Sequence, residues 1–146
     1  MKIVVENNCV VGHVDISATP DRVFDALCHT QRWWGTPGQY KVTRSEVDLR
    51  VGGDWISEGE YADGKPFAVV GKVVAVDPPT LLSMTWNPSY SPKMRETTVT
   101  YRLEPIEGGT RMHLTHGPFA EEDVSQIDTY KNGWPSVLGN LKAHAE

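Results

Sequence analysis

The fold of this chain is decided by residues 121–141, which read EEDVSQIDTYKNGWPSVLGNL. Apolar side chains recur there at spacings of three and four, which is the repeat of one face of an α-helix. They are Val124, Ile127, Tyr130, Trp134, Leu138 and Leu141. The acidic run at 121–123 suits the first turn of a helix, because the helix dipole is positive there. The segment therefore predicts a long amphipathic helix at the end of the chain.

Two residues inside this segment, Gly133 and Pro135, disfavour a regular helix. Proline has no N–H to donate, and its ring collides with the carbonyl oxygen four residues earlier in a helix. We therefore expect a kink or a break near Trp134.

The segment between residues 40 and 118 is predicted to consist of strands alone. Six runs of strand-forming residues are separated by five turn signals rich in Gly, Pro, Asn and Asp. The turn signals lie at 51–53, 62–66, 77–80, 87–93 and 107–109. Strands joined in this way are typical of an antiparallel meander.

Ahead of the meander, the sequence predicts one strand and then two short helices. Residues 10–17 alternate between inward apolar or small side chains and their neighbours, as in a half-buried strand. Thr19 then supplies a hydroxyl N-cap, Pro20 a proline at the first helical position and Asp21 an acid in the first turn. Residues 29–35 follow as a further short helical turn.

Together these elements predict an α+β protein in which a curved antiparallel sheet wraps around the C-terminal helix. The sheet has an apolar face to bury, and the terminal helix is the only large element available to cover it. A curved sheet around a helix encloses space, and small molecules usually bind in such mouths and clefts. Ligand binding is therefore the first functional hypothesis.

Size and composition narrow the class of protein. The chain is expected to form a single domain over residues 1–146. Its 14 basic and 19 acidic residues give a net charge of −5 without a basic cluster, so nucleic acid is not an expected partner. Two cysteines are too few for a disulfide scaffold, and no apolar run reaches the length of a membrane span. We therefore expect a cytoplasmic protein that does not interact with a membrane.

Several short elements, taken in order, resemble the START-like (SRPBCC) superfamily. They are ISATPDRVFDAL at 16–27, Trp33-Trp34-Gly35, Val51-Gly52-Gly53-Asp54-Trp55, the run 71–79, Thr85-Trp86 and Gly133-Trp134. More closely, residues 9–143 are similar to the branch named after the activator of heat-shock protein 90 ATPase. The resemblance implies a helix-grip fold with a cavity. It implies no single activity, since the superfamily includes lipid and hormone carriers, polyketide cyclases and co-chaperone domains.

Residues 59–66, GEYADGKP, match a phosphate-binding loop at seven positions. Proline stands at the eighth, where a serine or threonine hydroxyl must hold magnesium. The chemistry also needs a helix N-terminus aimed at the phosphate, whereas this loop joins two predicted strands. The segment is therefore expected to be a hairpin turn.

No metal site, cofactor or catalytic group is predicted. His113 and His116 lie three residues apart on a strand, which places them on opposite faces. His116 shares a face with apolar neighbours, and we expect a histidine with satisfied hydrogen bonds or partial exposure. Cys9 and Cys28 have no adjacent histidine and acid, so both are expected to be ordinary residues.

The acidic side chains of one strand are expected to face solvent. Asp54, Glu58 and Glu60 share one face of this strand, and Trp55 and Tyr61 share the other. Burying several unpaired charges is costly, so the aromatic face is the natural inner one.

The aromatic side chains are the strongest remaining signal, because they come from every element that borders the proposed cavity. The predicted ligand-binding residues are Trp34, Trp55, Trp86, Tyr101, Met112, Trp134 and Leu138. Small residues such as Gly59 and Gly71 leave room beside them for a guest, or else mark a bend of the sheet.

The leading hypothesis is that the cavity binds a small hydrophobic or aromatic molecule without a cofactor. The first alternative is an enzyme of the cyclase or aromatase type, with His116, Tyr101 or Arg95 as polar handles in the same cavity. The second is a chaperone-interacting module, which the resemblance suggests. A homodimer through an exposed sheet edge stays open.

Overall fold

Nine antiparallel strands form one sheet in the computed structural model, which describes residues 1–146. The strands are β1 (Lys2–Glu6), β2 (Cys9–Ile16), β3 (Gly35–Thr36), β4 (Tyr40–Val47), β5 (Asp54–Tyr61), β6 (Pro66–Asp77), β7 (Leu81–Pro88), β8 (Thr97–Ile106) and β9 (Gly109–Gly117). Their order across the sheet is β1-β2-β9-β8-β7-β6-β5-β4-β3. The six strands predicted between residues 40 and 118 are β4 to β9, and they form the expected meander.

Two α-helices complete the fold, α1 (Pro20–Cys28) and α2 (Ser125–Ala145). Single turns of 3₁₀ helix precede β3 and α2, at Thr30–Arg32 and Glu121–Asp123. The order of elements confirms the predicted α+β helix-grip architecture, a curved antiparallel sheet around a long C-terminal helix. No helix combines the length and the apolar character that crossing a membrane requires.

Helix α1 begins where the sequence predicts. The side chain of Thr19 accepts a hydrogen bond from the backbone N–H of Arg22 at 3.3 Å, and Pro20 occupies the first helical position. The buried face of the helix carries Val23, Phe24, Ala26 and Leu27. Local sequence therefore determines both the start of α1 and the face that it buries.

Strands β1 and β3 were not predicted. Residues 1–8 are polar around a short apolar run, which gives a weak strand signal, yet β1 pairs with β2 over its whole length. Asn7 and Asn8 both have positive φ, 50° and 61°, which suits the two central residues of a tight hairpin turn. Strand β3 has only two residues, and both pair with β4.

We expected a kink or a break near Trp134; helix α2 runs without interruption from Ser125 to Ala145, so a break is wrong. Pro135 lies on the exposed side of the helix, and so does Lys131, whose carbonyl loses its usual N–H partner. Water can reach that carbonyl, and the opposite side of the helix stays packed against the sheet. Burial of the apolar face therefore outweighs the local cost of proline.

The two halves of α2 have different surroundings. The C-terminal half packs directly on neighbouring elements, since Leu138 and Leu141 are completely buried. Its last turn is tied to the end of β2, where Lys142 Nζ donates to the carbonyl of Asp15 at 3.0 Å and Glu146 accepts from the N–H of Ser17 at 2.9 Å. The N-terminal half instead faces the strands from β4 to β8, and the cavity lies between them.

Replacing Pro135 with alanine should stabilise the protein. Alanine restores the N–H donor to Lys131 and removes the steric conflict, and proline is less favourable than alanine in a helix interior by about 3 kcal/mol. We expect P135A to raise the free energy of unfolding in urea by up to that amount. Ser136→Ala, at the next exposed position, is the control and should change stability by less than about 1 kcal/mol. A P135A protein no more stable than the wild type would contradict this account of α2.

Candidate ligand cavity

A cavity of about 310 Å³ lies between the concave face of the sheet and residues 129–137 of α2. Of the 23 residues that line it, 18 are hydrophobic, and none carries a formal charge. Helix α2 contributes Tyr130, Trp134 and Val137, and the sheet contributes mainly aromatic and branched side chains. The volume falls at the lower end of the range for small-molecule pockets.

Five of the seven predicted ligand-binding residues line this cavity. They are Trp34, Trp55, Trp86, Tyr101 and Trp134. Met112 and Leu138 do not line it, and both side chains are fully buried in the packed core. Met112 pairs with Val14 of β2, a strand that α2 packs against directly, so no space is left beside its side chain.

The indole N–H groups of three lining tryptophans bond to the protein itself. Trp55 Nε1 donates to the carbonyl of Thr85 at 2.7 Å, and Trp86 Nε1 donates to the hydroxyl of Tyr130 at 3.0 Å. Trp134 Nε1 donates to His116 Nδ1 at 3.1 Å. These bonds fix the orientation of each ring, because a buried indole N–H needs a partner. What the three rings offer to the cavity is therefore carbon surface.

The aromatic rings also contact one another around the cavity. The ring centroids of Trp34 and Trp134 are 5.6 Å apart, and those of Trp55 and Trp86 are 5.8 Å apart. Trp34 and Trp86 approach to 6.3 Å with nearly parallel planes. Such offset and edge contacts are favourable for aromatic pairs and hold the cavity in shape without a ligand.

Gly59 and Gly71 make room for the protein's own rings. A Cβ atom at Gly71 would lie 2.1 Å from the carbonyl oxygen of Thr85 and 2.6 Å from Trp55 Nε1. One at Gly59 would lie 2.2 Å from the carbonyl oxygen of Lys41 and 2.4 Å from the ring of Phe67. All four distances are shorter than an ordinary van der Waals contact, so neighbouring backbone and side chains occupy the space beside these glycines and leave none for a guest.

Aromatic side chains that the sequence analysis did not assign to the site surround the mouth of the cavity. Phe67 packs against Tyr40, Tyr61 and Tyr90, with ring centroids 5.0 to 6.5 Å apart. Tyr90 comes from the loop between β7 and β8, and its hydroxyl lies 3.2 Å from that of Tyr130 on α2. Tyr130 could have been predicted as a lining residue, since it belongs to the apolar face of the helix. Tyr90 could not, because a loop has no periodic pattern from which to predict the direction of a side chain.

His116 is a structural residue of the core and does not line the cavity. It is fully buried on β9, with Nδ1 accepting from Trp134 and Nε2 2.9 Å from Thr97 Oγ1. An indole can only donate, so Nδ1 must be unprotonated and Nε2 carries the proton. Burial lowers the pKa of His116 to about 3. The prediction of a histidine with satisfied hydrogen bonds is confirmed.

The other polar candidates also lie outside the cavity. Arg95 pairs with Glu122 at 2.6 Å on the surface, and His113 lies on the opposite face of β9 from His116, near Glu104. Of the three polar handles considered for an enzyme, only Tyr101 lines the cavity, and burial raises the pKa of its phenol.

The acidic face of β5 points outward, as predicted. Glu58 bonds to Arg44 at 2.8 Å, Glu60 lies 3.5 Å from Lys41, and Asp54 pairs with Lys72. The GEYADGKP segment is the hairpin between β5 and β6, with Gly64 at a φ of 86°. No cluster of three or more His, Cys, Asp or Glu side chains is arranged to hold a metal ion.

Both cysteines are free thiols. Burial, with a smaller contribution from Asp25, raises the pKa of Cys28 to about 11. The thiolate is the reactive form of cysteine, so Cys28 is unsuited to nucleophilic catalysis at neutral pH.

Residues 17–146 match the family model described as Activator of Hsp90 ATPase homolog 1-like protein. Solved structures with the same fold include a protein from Rhodobacter sphaeroides, with a TM-score of 0.82, 19% identity, and coverage of 98% of this chain and 93% of that chain. A protein from Chromobacterium violaceum has a TM-score of 0.81 at 22% identity, with coverage of 97% and 99%. An AHSA1-like protein from Aeromonas hydrophila has a TM-score of 0.76 at 24% identity, with coverage of 94% and 95%. No curated protein matches the sequence.

The buried His116 should make stability depend on pH. Below the usual histidine pKa of about 6.5 the unfolded chain takes up a proton, whereas the folded protein does so only near pH 3. Stability is therefore complete above pH 6.5 and falls as the pH drops through this window, by about 2 kcal/mol between pH 7 and pH 5.

The measurement is urea unfolding at both pH values, for the wild type and for His116→Asn. Asparagine keeps an acceptor for Trp134 but does not titrate, so this variant should lose about 2 kcal/mol less than the wild type over the same interval. Equal losses in the two proteins would show that His116 is not the group responsible.

Proposed function

We propose that this chain, which belongs to the family of Activator of Hsp90 ATPase homolog 1-like proteins, binds a small hydrophobic or aromatic molecule in the cavity between the sheet and α2. The observation that carries the proposal is the uncharged aromatic lining, with three indole N–H groups already bonded within the protein. A site of this kind offers an apolar guest dispersion contacts and shelter from water.

The lining also favours binding over catalysis. General acid–base chemistry needs a titratable side chain within reach of the substrate, with a pKa near the working pH. The titratable groups in the lining are tyrosines, and burial raises the pKa of Tyr101, Tyr90 and Tyr130. As both cysteines are free, we further propose that the protein works in a reducing compartment, the cytoplasm.

Binding can be tested with N-phenyl-1-naphthylamine, a neutral probe whose fluorescence rises in apolar surroundings. Two neighbouring valines on β6 give a matched pair of variants. Val69 is buried and lines the cavity, whereas the side chain of Val70 points to the opposite face of the sheet and is 44% exposed. Val69→Phe fills the cavity with a phenyl ring, and Val70→Phe adds the same ring outside it.

We expect the wild type and V70F to bind the probe with equal affinity at one site, and V69F to bind at least about tenfold more weakly, a loss of about 1.4 kcal/mol. Cooperative unfolding of both variants checks that the fold survives. A probe that binds V69F as well as the wild type, or that does not bind the wild type, would overturn the proposal. Native mass spectrometry of the protein from its own host then identifies the natural ligand.

A further inference from the structure

Most hydroxyl groups of the cavity lining have a hydrogen-bond partner without a ligand. Ser45 donates to the side chain of Gln31, and the hydroxyls of Tyr90 and Tyr130 contact each other at 3.2 Å. Tyr61 lies at the mouth and is 38% exposed, so water can bond to its hydroxyl. A ligand adds nothing that these groups lack.

Two lining residues, Ser57 and Tyr101, are buried and carry a hydroxyl that makes no hydrogen bond within the protein. Thr30, in the 3₁₀ turn after α1, also has an unpartnered hydroxyl, and its oxygen is the only such side-chain atom with almost no accessible surface. The hydroxyl oxygens of Ser57 and Tyr101 therefore keep accessible surface. Because the two residues are only 9% and 4% exposed, this surface belongs to the cavity that they line.

Tyr101 lies deep in the cavity, away from the mouth. On the inner face of the sheet it pairs with Leu82 of β7, four residues before Trp86. Trp86 is close to the end of β7 that leads into the loop with Tyr90. At about 3.3 Å per residue, the backbone of Tyr101 is about 13 Å from Trp86 along the hairpin. A ligand that enters past Tyr90 therefore meets the Tyr101 hydroxyl with its leading end.

Tyr101 suits the recognition of a polar atom better than Ser57 does. Its ring packs against Trp134, with ring centroids 6.3 Å apart, and a ring held in place fixes the position of its hydroxyl oxygen. Burial raises the pKa of the phenol, so the group stays a protonated donor at neutral pH. Strands β6 and β7 separate the strand of Ser57 from that of Tyr101, so the two hydroxyls belong to different parts of the cavity.

We propose that Tyr101 selects a ligand with an apolar, aromatic frame and a neutral hydrogen-bond acceptor, such as a carbonyl oxygen, at its inner end. This inference rests on the proposed binding function. The phenol supplies an O–H donor that no protein group uses, and a carbonyl oxygen can only accept. The acceptor is neutral because no charged side chain lines the cavity to pair with an ionised group brought out of water.

Three probes of similar shape test this selectivity by displacing N-phenyl-1-naphthylamine at pH 7. They are 2-acetylnaphthalene, which carries the carbonyl acceptor, 2-isopropenylnaphthalene, in which CH₂ replaces the carbonyl oxygen, and 2-naphthoate, which is ionised. The measured quantity is the ratio of ketone affinity to hydrocarbon affinity. Differences in transfer from water cancel when this ratio is compared between two variants. 2-Naphthoate should bind most weakly to the wild type.

Three variants assign the ratio to its source. Tyr101→Phe removes the hydroxyl and keeps the ring, so the ratio should fall about tenfold, as expected when one buried hydrogen bond is lost. Tyr61→Phe makes the same change at the mouth, where water replaces the ligand as partner, and should keep the ratio within about twofold of the wild type. Ser57→Ala removes the other unpartnered hydroxyl and should also keep it.

Infrared spectroscopy follows the bond itself. A carbonyl that accepts a hydrogen bond has a lower stretching frequency than a free one. Isotope-edited spectra of bound 2-acetylnaphthalene, labelled with carbon-13 at the carbonyl, should therefore show a lower frequency in the wild type than in Y101F.

Y101F should unfold at a urea concentration no lower than that of the wild type. The hydroxyl that it removes bonds to no group of the protein, and a buried hydroxyl without a partner does not stabilise the fold. A less stable Y101F would show that the protein itself uses this hydroxyl, and would overturn the proposal.

The remaining outcomes separate this inference from the proposed function. An unchanged ratio in Y101F, a fall of the ratio in Ser57→Ala alone, or equal carbonyl frequencies in the wild type and Y101F would overturn the role of Tyr101 and leave binding intact. Tightest binding of 2-naphthoate would overturn the neutral class. Failure of N-phenyl-1-naphthylamine and of all three probes to bind the wild type would overturn the binding function itself.

Discussion

The hydrogen bond from Trp134 Nε1 to His116 Nδ1 joins the terminal helix to strand β9 of the sheet, and the arrangement of the cavity depends on it. Both side chains are buried, so the bond cannot be replaced by water without opening the core. It determines the tautomer of His116 and the orientation of Trp134. A second bond, from Trp86 on β7 to Tyr130 one turn earlier on α2, fixes the same stretch of helix from the other side.

These two bonds explain why space is left at one end of the helix. Around Leu138 and Leu141 the helix packs directly on its neighbours, and the interior is filled. Near Tyr130 and Trp134, the indole rings of Trp86 and Trp134 are each held by a hydrogen bond from the N–H group. They therefore cannot turn to fill the gap between the sheet and the helix. The cavity is thus a result of rings whose positions are already fixed by polar bonds, in an interior that would otherwise close.

Periodicity predicted most of the fold, because the strand and helix repeats are strong in β2, β8 and α2. It failed for β1 and β3, which are short and depend on pairing with distant partners. At Pro135 the local chemistry of proline suggested a kink or a break, whereas the continuous helix follows the periodicity, because burial of the opposite face outweighs the cost of proline. For the site, periodicity predicted which side chains point to the inner face of the sheet. It could not predict whether such a side chain lines the cavity or is buried in the packed core. Met112 and Leu138 are as buried as Trp86 and Trp134, yet they lie where the helix packs directly on its neighbours, whereas the two tryptophans lie beside the cavity. Thr30 and Tyr90 lie in a single turn and a loop, where no repeat identifies a lining residue.

The placement of the tryptophans makes the protein its own optical reporter. Four of its five indoles line one cavity, and the fifth, Trp33, stacks on one of them with ring centroids 5.4 Å apart. Nearly all of the ultraviolet emission of the chain therefore comes from a single small volume. An occupant that changes the polarity around these rings, or that accepts their excitation energy, alters the light emitted by the whole molecule, so occupancy can be followed without any attached label.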